Sequence, residues 1–300
     1  MVMKLSICIV NWNVSSLLEK CINSIIENRP AHDFEINIVD NASRDSSVDM
    51  IRNVFAQEIK SGIVNLIQNK ENVGFSAGNN QAIAISKGAY ILLLNHDTEV
   101  TKNSINILTE FLNKNIEAAI IAPKLLNSDG SLQRSCMGFP TFGAMAMRQT
   151  FLEALWPSNP FTKKYMMSDF KYNMTSEVDQ PMGAALLIRK ESLDKVGVFD
   201  ESSFMFFDEV DLCKRLKDKG WKIFFTPAAE VIHHGGKSVK KWGNFNLSKH
   251  WTRSRNIFFK KHYGHGAMVW LTLIDSGKIV IIITLLMLMI FALKKLYISI

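Results

Sequence analysis

The chain has 300 residues, of which 47% are hydrophobic and 21% charged, and its formal net charge is +7. This composition excludes a disordered protein and fits one large domain or two small ones. The four cysteines are scattered and form no Cys-x-x-Cys pair, which argues against a structural zinc site and a disulfide scaffold. The basic balance favours an anionic partner, such as nucleic acid, a nucleotide or an anionic membrane surface.

Short apolar runs alternate with helical patterns through the first half of the chain. We predict strands at 5–10, 36–39, 63–67, 91–94 and 118–121, and helices at 17–26, 47–59, 78–87 and 104–112. Strands and helices that alternate at this spacing indicate βαβ units. The sequence therefore predicts an α/β protein with a Rossmann-like, mostly parallel sheet and flanking helices.

The aliphatic run 91–94 ends on Asn95, His96 and Asp97. In open α/β sheets, ligands bind beyond the carboxyl ends of the strands. A carboxylate at that position can hold a hard divalent cation against a phosphate. The alternative is that Asp97 only begins a turn, because Asp is a common turn residue.

Polar clusters also follow three other predicted strands, at 11–13, 40–43 and 69–75. Together with 95–97, they would lie along one sheet edge and form a polar crevice. No G-x-G-x-x-G or G-x-x-x-x-G-K-[ST] motif is present, which argues against dinucleotide and P-loop chemistry.

The second half of the chain is less regular. We predict a long loop or lid at 138–175, followed by a buried strand at 186–188. Before that strand, the small residues Gly183 and Ala184 allow another backbone to approach closely.

Three acids, Asp208, Glu209 and Asp211, open a predicted helix directly behind two phenylalanines. Helix capping alone would explain one or two acids in a first turn, but three exceed that need. Farther along, His233 and His234 precede Gly-Gly-Lys-Ser and indicate a metal or phosphate loop, with a buried core histidine as the alternative.

The C-terminal part is basic and then apolar. Segment 237–261 interleaves lysines and arginines with aromatic residues, which favours either a solvated helix or docking to lipid head groups or a pyrophosphate. The uncharged run 279–293 predicts a helix that lies in or on a membrane, with a soluble core helix as the alternative. At ~22 Å it falls short of a ~30 Å hydrocarbon core. We therefore predict a catalytic domain at 1–264 and a membrane-associated helical segment at 265–300.

Seven of these segments carry a family resemblance in this order along the chain: 9–13, 39–43, 72–80, 93–97, 208–212, 233–238 and 255–264. Together they resemble the family-two glycosyltransferases with the GT-A fold, and most of all bacterial rhamnosyltransferases that extend cell-surface polysaccharides. The resemblance covers about residues 4–264.

The resemblance implies an inverting, metal-assisted transfer of a sugar, with rhamnose as one candidate. The donor would be a dTDP- or UDP-sugar, and the acceptor a hydroxyl of a glycan or lipid-linked molecule. The implied location is the cytoplasmic face of the bacterial cell membrane, with no nucleic-acid partner.

The same resemblance implies roles for individual residues. The nucleotide-sugar would be bound by Asn11, Asp40, Asn72, Gly74, Asn95 and His96. The Mg²⁺ or Mn²⁺ ion would be bound by Asp97 and His233. The acceptor would be bound by Gly183, Ala184 and Asp211. The catalytic base would be Glu209, with Asp208 as second choice because Asp208 is expected to cap its helix.

One position departs from the family pattern. Asn95 stands where the metal motif Asp-x-Asp often has its first carboxylate, so Asp97 would bind the ion together with phosphates and water. Two alternative functions remain: a GT-A nucleotidyltransferase, or a catalytically silent nucleotide-sugar binding protein at the membrane. After its first strand, the chain lacks the Gly-rich, basic loop that nucleotidyltransferases usually have, which argues against the first alternative. The carboxylates of Asp97, Asp208 and Glu209 argue against the second.

Overall fold

The computed structural model describes residues 5–235 and 244–276. The strands are β1 (Leu5–Asn11), β2 (Phe34–Asp40), β3 (Val64–Gln68), β4 (Tyr90–Leu94), β5 (Thr98–Val100), β6 (Ala118–Leu126), β7 (Leu132–Gln133), β8 (Cys136–Met137), β9 (Ser176–Glu177), β10 (Gln180–Pro181), β11 (Ala185–Arg189) and β12 (Lys222–His233). The helices are α1 (Ser15–Glu27), α2 (Ser47–Val54), α3 (Ala56–Lys60), α4 (Gly74–Ala84), α5 (Ser104–Lys114), α6 (Phe142–Arg148), α7 (Leu152–Leu155), α8 (Pro160–Tyr165), α9 (Lys190–Val196), α10 (Asp208–Asp218), α11 (Asn244–Tyr263) and α12 (His265–Asp275).

The central sheet has the strand order β3-β2-β1-β4-β11-β6-β12-β5. β1 pairs in parallel with β2 and β4, β2 with β3, and β6 with β12, whereas β11 runs antiparallel between β4 and β6. The predicted α/β architecture with a mostly parallel sheet is thus confirmed. The antiparallel β11 brings residues from the second half of the chain next to the end of β4.

The core lies on both faces of this sheet. All five residues of β4 are buried, as expected for a strand covered on both sides, and β1 and β2 are nearly as enclosed. Helix α1 contributes Leu18, Ile22 and Ile25 to the same cluster at helical spacing. Burial of these aliphatic side chains fixes the strand ends that carry the polar residues.

Several predicted elements differ in extent from the observed ones: the predicted helix 78–87 is Gly74–Ala84, and the predicted strand 118–121 is Ala118–Leu126. The predicted helix 47–59 is divided into α2 and α3 at Phe55, whose φ of −106° leaves the helical range. The apolar runs around Phe224 and Val231 form a single strand, β12, with an irregularity between Thr226 and Glu230. Pro227 falls inside that irregularity, where its missing N–H breaks no regular ladder.

Segment 138–175 is not a continuous loop as predicted. It contains α6, α7 and α8, which are too short for a period to show in the sequence. Their caps are nevertheless specific: Thr141 Oγ1 accepts from Ala144 N at 3.2 Å, and Asn159 Oδ1 accepts from Thr162 N at 2.8 Å. Asn159 followed by Pro160 at the first helical position is the signal in the sequence that indicates α8.

The chain divides into two compact units. The first contains 1–139 and 169–254, and the second contains 140–168 and 255–300. Residues 255–264 group with 140–168. The predicted division of the chain after residue 264 stays a prediction.

Arg255 organises the second unit from its interior. It is fully buried, its Nη2 lies 2.6 Å from Asp275 Oδ2, and its Nη1 donates to Gln149 Oε1 at 2.5 Å. Arg255 belongs to the basic segment 237–261, for which the sequence indicates either a solvated helix or a lipid or pyrophosphate site. Its guanidinium instead joins α11, α12 and the residue after α6.

Among the described residues, no helix has both the length and the apolar character needed to cross a membrane. The predicted membrane run 279–293 and the part 237–243 of the basic segment lie outside the described residues.

Candidate active site

A cavity of about 230 Å³ opens beyond the carboxyl ends of β1, β2 and β4, where the polar crevice was expected. The residues that line it are Val10, Asn11, Trp12, Asn41, Asn72, Gly74, Phe75, Asn95, His96, Asp97, Phe204, Met205 and His233. Seven of the predicted site residues are in this group. Asp40, Gly183, Ala184, Asp208, Glu209 and Asp211 are not among the described lining residues.

Asp97 and His233 face each other across the strand pair β5–β12. Thr98, directly after Asp97, is the register partner of His233, and the carbonyl of Asp97 accepts from His234 N at 2.9 Å. The Asp97 Oδ1 and His233 Nε2 atoms are 3.3 Å apart. Burial by itself would raise the pKa of Asp97, but the hydrogen bond from His233 and the charges of His96 and His233 lower it below its ordinary value.

Gln133 fixes the orientation of the His233 ring. Its Oε1 lies 2.6 Å from His233 Nδ1, and its Nε2 donates to Asn127 Oδ1 at 2.9 Å. With the amide oriented in this way, His233 Nδ1 donates to Gln133 Oε1, and Nε2 is the nitrogen directed at Asp97. No feature of the sequence pointed to Gln133, which is 100 residues from its partner.

The residues present fit a divalent cation only in part. A buried carboxylate and an imidazole whose other nitrogen is held by an amide oxygen form a recognised pair of ligands. No group of three or more His, Cys, Asp or Glu side chains that could hold a metal ion occurs among the described residues. The pair Asp97–His233 therefore suits an ion that takes its remaining ligands from phosphate oxygens and water, as Mg²⁺ commonly does.

Asp40 and Asn11 lie at the ends of the neighbouring strands β2 and β1. Asp40 is buried, and its carboxylate accepts from Asn11 Nδ2 at 2.8 Å and from Ser43 N at 2.9 Å. Both Asp40 oxygens are thus engaged in positioning the strand ends. Asn11 Oδ1, by contrast, is buried and accepts no hydrogen bond from the described part of the chain.

The loop before α4 forms another wall of the cavity. Asn72 Oδ1 accepts from Gly74 N at 3.0 Å, and Asn41 Nδ2 donates to Gly74 O at 3.0 Å. Gly74 has a φ of +91°, and a Cβ atom there would lie 2.5 Å from Phe204 O. Phe75 N donates to the same Phe204 carbonyl at 2.8 Å, so only glycine permits this close approach.

Gly183 and Ala184 connect the cavity to Glu209. Asn95 N donates to Ala184 O at 2.9 Å, since β11 pairs with β4 through Ala185 and Leu94. The half-buried Glu209 side chain packs against Gly183, at a distance where an added Cβ would be 3.5 Å from its Cδ. Burial raises the pKa of Glu209 above its ordinary value, opposed by backbone hydrogen bonds that include one from Gly183.

Asp208 occupies a different environment from Glu209. It is 3% exposed and accepts a short hydrogen bond from Ser76 Oγ. Burial raises its pKa well above the ordinary value, and neighbouring Glu209 adds to this, whereas the Ser76 and Ser203 hydroxyls lower it. The prediction that Asp208 caps its helix is wrong: the N-cap is Phe207, and no side-chain cap bond is present.

The backbone before α10 is strained. Phe206 and Phe207 have φ values of +69° and +61°, a left-handed conformation that costs a non-glycine residue about 1–3 kcal/mol. Ser203 Oγ donates to Phe206 O at 2.9 Å, and Ser254 Oγ donates to Met205 O at 2.7 Å. These hydroxyls hold the turn from which Asp208 and Glu209 emerge.

Asp211 is engaged within its own helix. Its Oδ2 lies 2.8 Å from Arg215 Nε, and the Arg215 guanidinium also donates to the carbonyls of Val196, Gly197 and Val198. This ion pair ties α10 to the turn after α9. The predicted contact of Asp211 with an acceptor stays a prediction.

The fold is that of the GT-A glycosyltransferases. A mannosyltransferase from Pyrobaculum calidifontis, solved with GDP-Man and Mn²⁺, superposes with a TM-score of 0.57 at 15% identity, over 91% of this chain and 73% of that one. GalNAc-T7, solved with UDP, GalNAc and Mn²⁺, gives 0.56 at 18% identity; the match covers 77% of this chain but only 44% of GalNAc-T7.

The chain belongs to glycosyl transferase family 2, whose family model matches residues 6–196. It is also 27% identical over 212 residues to an N-acetylglucosaminyl-diphospho-decaprenol L-rhamnosyltransferase of Mycobacterium tuberculosis, which covers 67% of this chain and 68% of the relative. The resemblance to family two and to bacterial rhamnosyltransferases is thereby confirmed.

Proposed function

We propose that the protein is an inverting glycosyltransferase that moves a sugar from a nucleoside-diphosphate sugar to an acceptor hydroxyl. The observation that carries this proposal is the Asp97–His233 pair in a cavity of the GT-A fold. The carboxylate of Glu209 lies beside Gly183, just before the strand β11 that pairs with β4. Family membership and the name of the mycobacterial relative support sugar transfer, with rhamnose as the first sugar to test.

The nucleoside end of the donor would bind at the ends of β1 and β2. Asn11 Oδ1 is a buried acceptor that lacks a donor among the described residues, and its amide is held in place by Asp40. A base that presents an N–H, as uracil and thymine do, would satisfy that oxygen and recover the cost of burying it. This chemistry supports a UDP- or dTDP-linked sugar.

The diphosphate would lie toward Asp97 and His233. These two residues would hold Mg²⁺ or Mn²⁺, and Gln133 would keep His233 Nε2 available. When bound there, the cation would offset the negative charge that develops on the departing nucleoside diphosphate. Asn95 and His96 line the same end of the cavity and would contact the phosphates or the sugar.

Glu209 would act as the catalytic base. Its carboxylate takes the proton from the acceptor hydroxyl while that oxygen bonds to the anomeric carbon, and the bond from carbon to diphosphate breaks on the opposite face. A single displacement of this kind inverts the configuration at the anomeric carbon. The half-buried position of Glu209 beside Gly183 supports this role, since Asp208 is enclosed and bonded to Ser76.

We further propose that the acceptor is a glycan or a lipid-linked saccharide of cell-surface polysaccharide, used at the cytoplasmic face of a bacterial membrane. The mycobacterial relative, whose name describes a lipid-linked acceptor, supports this proposal. Gly183 and Ala184 would border the acceptor, because they lie between Asn95 and Glu209.

A panel of nucleotide sugars tests the proposal. Purified full-length protein should release nucleoside diphosphate from one of them, measured by anion-exchange chromatography, and chelation of divalent cations should stop the release. Asp97→Asn should be inactive, while Asp129→Asn, an exposed acid in the 127–131 turn, should match the wild type. Turnover by Asp97→Asn at the wild-type rate would refute the assigned site.

A further inference from the structure

Exposed apolar side chains are concentrated in the second unit. Its described residues, 140–168 and 255–276, contain every exposed Phe and Trp of the described chain. These are Phe142, Phe151, Trp156, Phe161 and Trp270. Leu155 and Trp156 are 73% and 51% exposed, at the end of α7. Large exposed apolar surfaces mark sites of interaction with protein or membrane.

Specific contacts hold the backbone that carries these side chains. Asn159 is fully buried; its Nδ2 donates to Trp156 O at 2.9 Å, and its Oδ1 caps α8. The Phe161 ring packs over Gly143, where a Cβ would lie 2.7 Å from the ring. The exposure of this group, hereafter the α6–α8 aromatic surface (142–161), is therefore a property of the packed unit.

The described residues of the two units also differ in net charge. The described residues of the second unit carry six Lys and Arg against two Asp and Glu, a balance of +4. Those of the first unit carry 22 Lys and Arg against 26 Asp and Glu, a balance of −4. The exposed cations of the second unit are mainly lysines: Lys163, Lys164, Lys260 and Lys261, with Arg148.

The combination of aromatic side chains with lysines indicates whether this surface binds a protein or a lipid bilayer. Protein interfaces are enriched in Trp, Phe and Arg but depleted of Lys. Aromatic side chains flanked by lysines are instead typical of surfaces that lie in the interface of an anionic bilayer. Trp in particular favours the head-group level, where its ring is buried and its N–H is hydrated.

We propose that the α6–α8 aromatic surface binds an anionic lipid bilayer, with Leu155 and Trp156 inserted and Lys163 and Lys164 at the head groups. The residues of this surface are different from those of the apolar run 279–293 and from those that line the cavity at Asp97. It deepens the proposed membrane location, and it can fail independently of sugar transfer because lipid binding requires no substrate.

Sedimentation of the full-length chain with vesicles tests the proposal. Leu155→Ser/Trp156→Ser should lower the partition coefficient on phosphatidylglycerol–phosphatidylcholine vesicles by at least about tenfold. The reason is that serine lacks the apolar area that Leu155 and Trp156 would bury in the bilayer. The control, Val54→Ser/Ile116→Ser, removes two equally exposed aliphatics of the first unit, 51% and 78% exposed, and should leave binding unchanged.

The charges are tested separately. Lys163→Gln/Lys164→Gln should weaken binding to the anionic vesicles by about fivefold per lysine and leave binding to pure phosphatidylcholine unaltered. Lys60→Gln/Lys102→Gln, exposed lysines of the first unit, should have a much smaller effect.

The conservative variant Trp156→Phe tests the same surface with less risk of unfolding the protein. Brominated lipid should quench the tryptophan emission of the wild type, and Trp156→Phe should remove more of that quenching than Trp221→Phe does. If Leu155→Ser/Trp156→Ser partitions like the wild type, or if brominated lipid quenches no emission from Trp156, the proposal is wrong. A shift to monomer in the same variant with unaltered lipid binding would assign the surface to a second copy of the chain.

Discussion

Replacing Gly74 with alanine tests the packing that shapes the donor cavity. The new Cβ would meet Phe204 O at 2.5 Å and the Phe204 ring at 2.8 Å, in a residue with φ of +91°. To relieve this overlap, the loop must move away from Phe204. That movement lengthens the 2.8 Å hydrogen bond from Phe75 N to Phe204 O. Left-handed alanine costs about 1–2 kcal/mol, and the overpacking and weakened bond add about 2–4 kcal/mol.

Gly130→Ala is the matched control. Gly130 has φ of +80° but nothing within 4 Å of its would-be Cβ, so this variant reports the conformational cost alone. Urea titration should show Gly74→Ala to be less stable than Gly130→Ala, and calorimetry should show weaker binding of UDP or dTDP only at Gly74. Equal free energies of unfolding for the two variants would refute the claim that Phe204 closes on this loop.

Four further variants separate the roles of the acids, Gln133 and Arg255. Glu209→Gln should lower turnover by about 10²–10⁴-fold with little change in donor affinity, and the wild-type rate should rise with pH through the raised pKa of Glu209, because the base must be ionised. Asp208→Asn should raise the melting temperature at pH 8, because the folded state disfavours ionised Asp208, and that gain should shrink as pH falls toward about 4. Gln133→Leu should weaken Mn²⁺ binding, measured by electron paramagnetic resonance, by about 10–100-fold, whereas unchanged affinity would show that the amide does not position His233. Arg255→Met should cost about 1–3 kcal/mol in urea titration because it removes the guanidinium bonds to Asp275 and Gln149, and a cost near zero would contradict these contacts.

The strand ends can be predicted from the sequence because each buried run stops at a polar cluster. This pattern alone places Asn11, Asn72 and Asp97 at the edge of a parallel sheet where the cavity is found. The residues alone indicate His233 only as part of a candidate metal or phosphate loop, and its pairing with Asp97 is implied by the family resemblance. Periodicity and topology suffice for the strand ends.

The partners of these residues cannot be predicted in the same way. Ser76 reaches Asp208 across 132 residues, and Gln133 reaches His233 across 100, through side-chain geometry that no local pattern records. The helix cap predicted for Asp208 is wrong because the chain turns at Phe207 in a left-handed conformation that is rare for Phe.

The second unit is the part of the fold that the sequence indicates least. Its helices α6–α8 are held by Asn159 and by packing against other helices of the unit, so no segment is periodic by itself. The charge pattern groups Arg255 with exposed basic residues, although its guanidinium is buried and paired with Asp275. Sequence position alone does not distinguish a buried arginine from a solvated one.

The anomeric configuration of the sugar first released from the donor tests the central claim most directly. Proton NMR during donor hydrolysis by the wild type should show the configuration opposite to that in the nucleotide sugar, because a water molecule takes the acceptor's place in one displacement. Glu209→Gln should slow this release with the same stereochemistry. Retention of configuration, or a Glu209→Gln variant as fast as the wild type, would contradict the account.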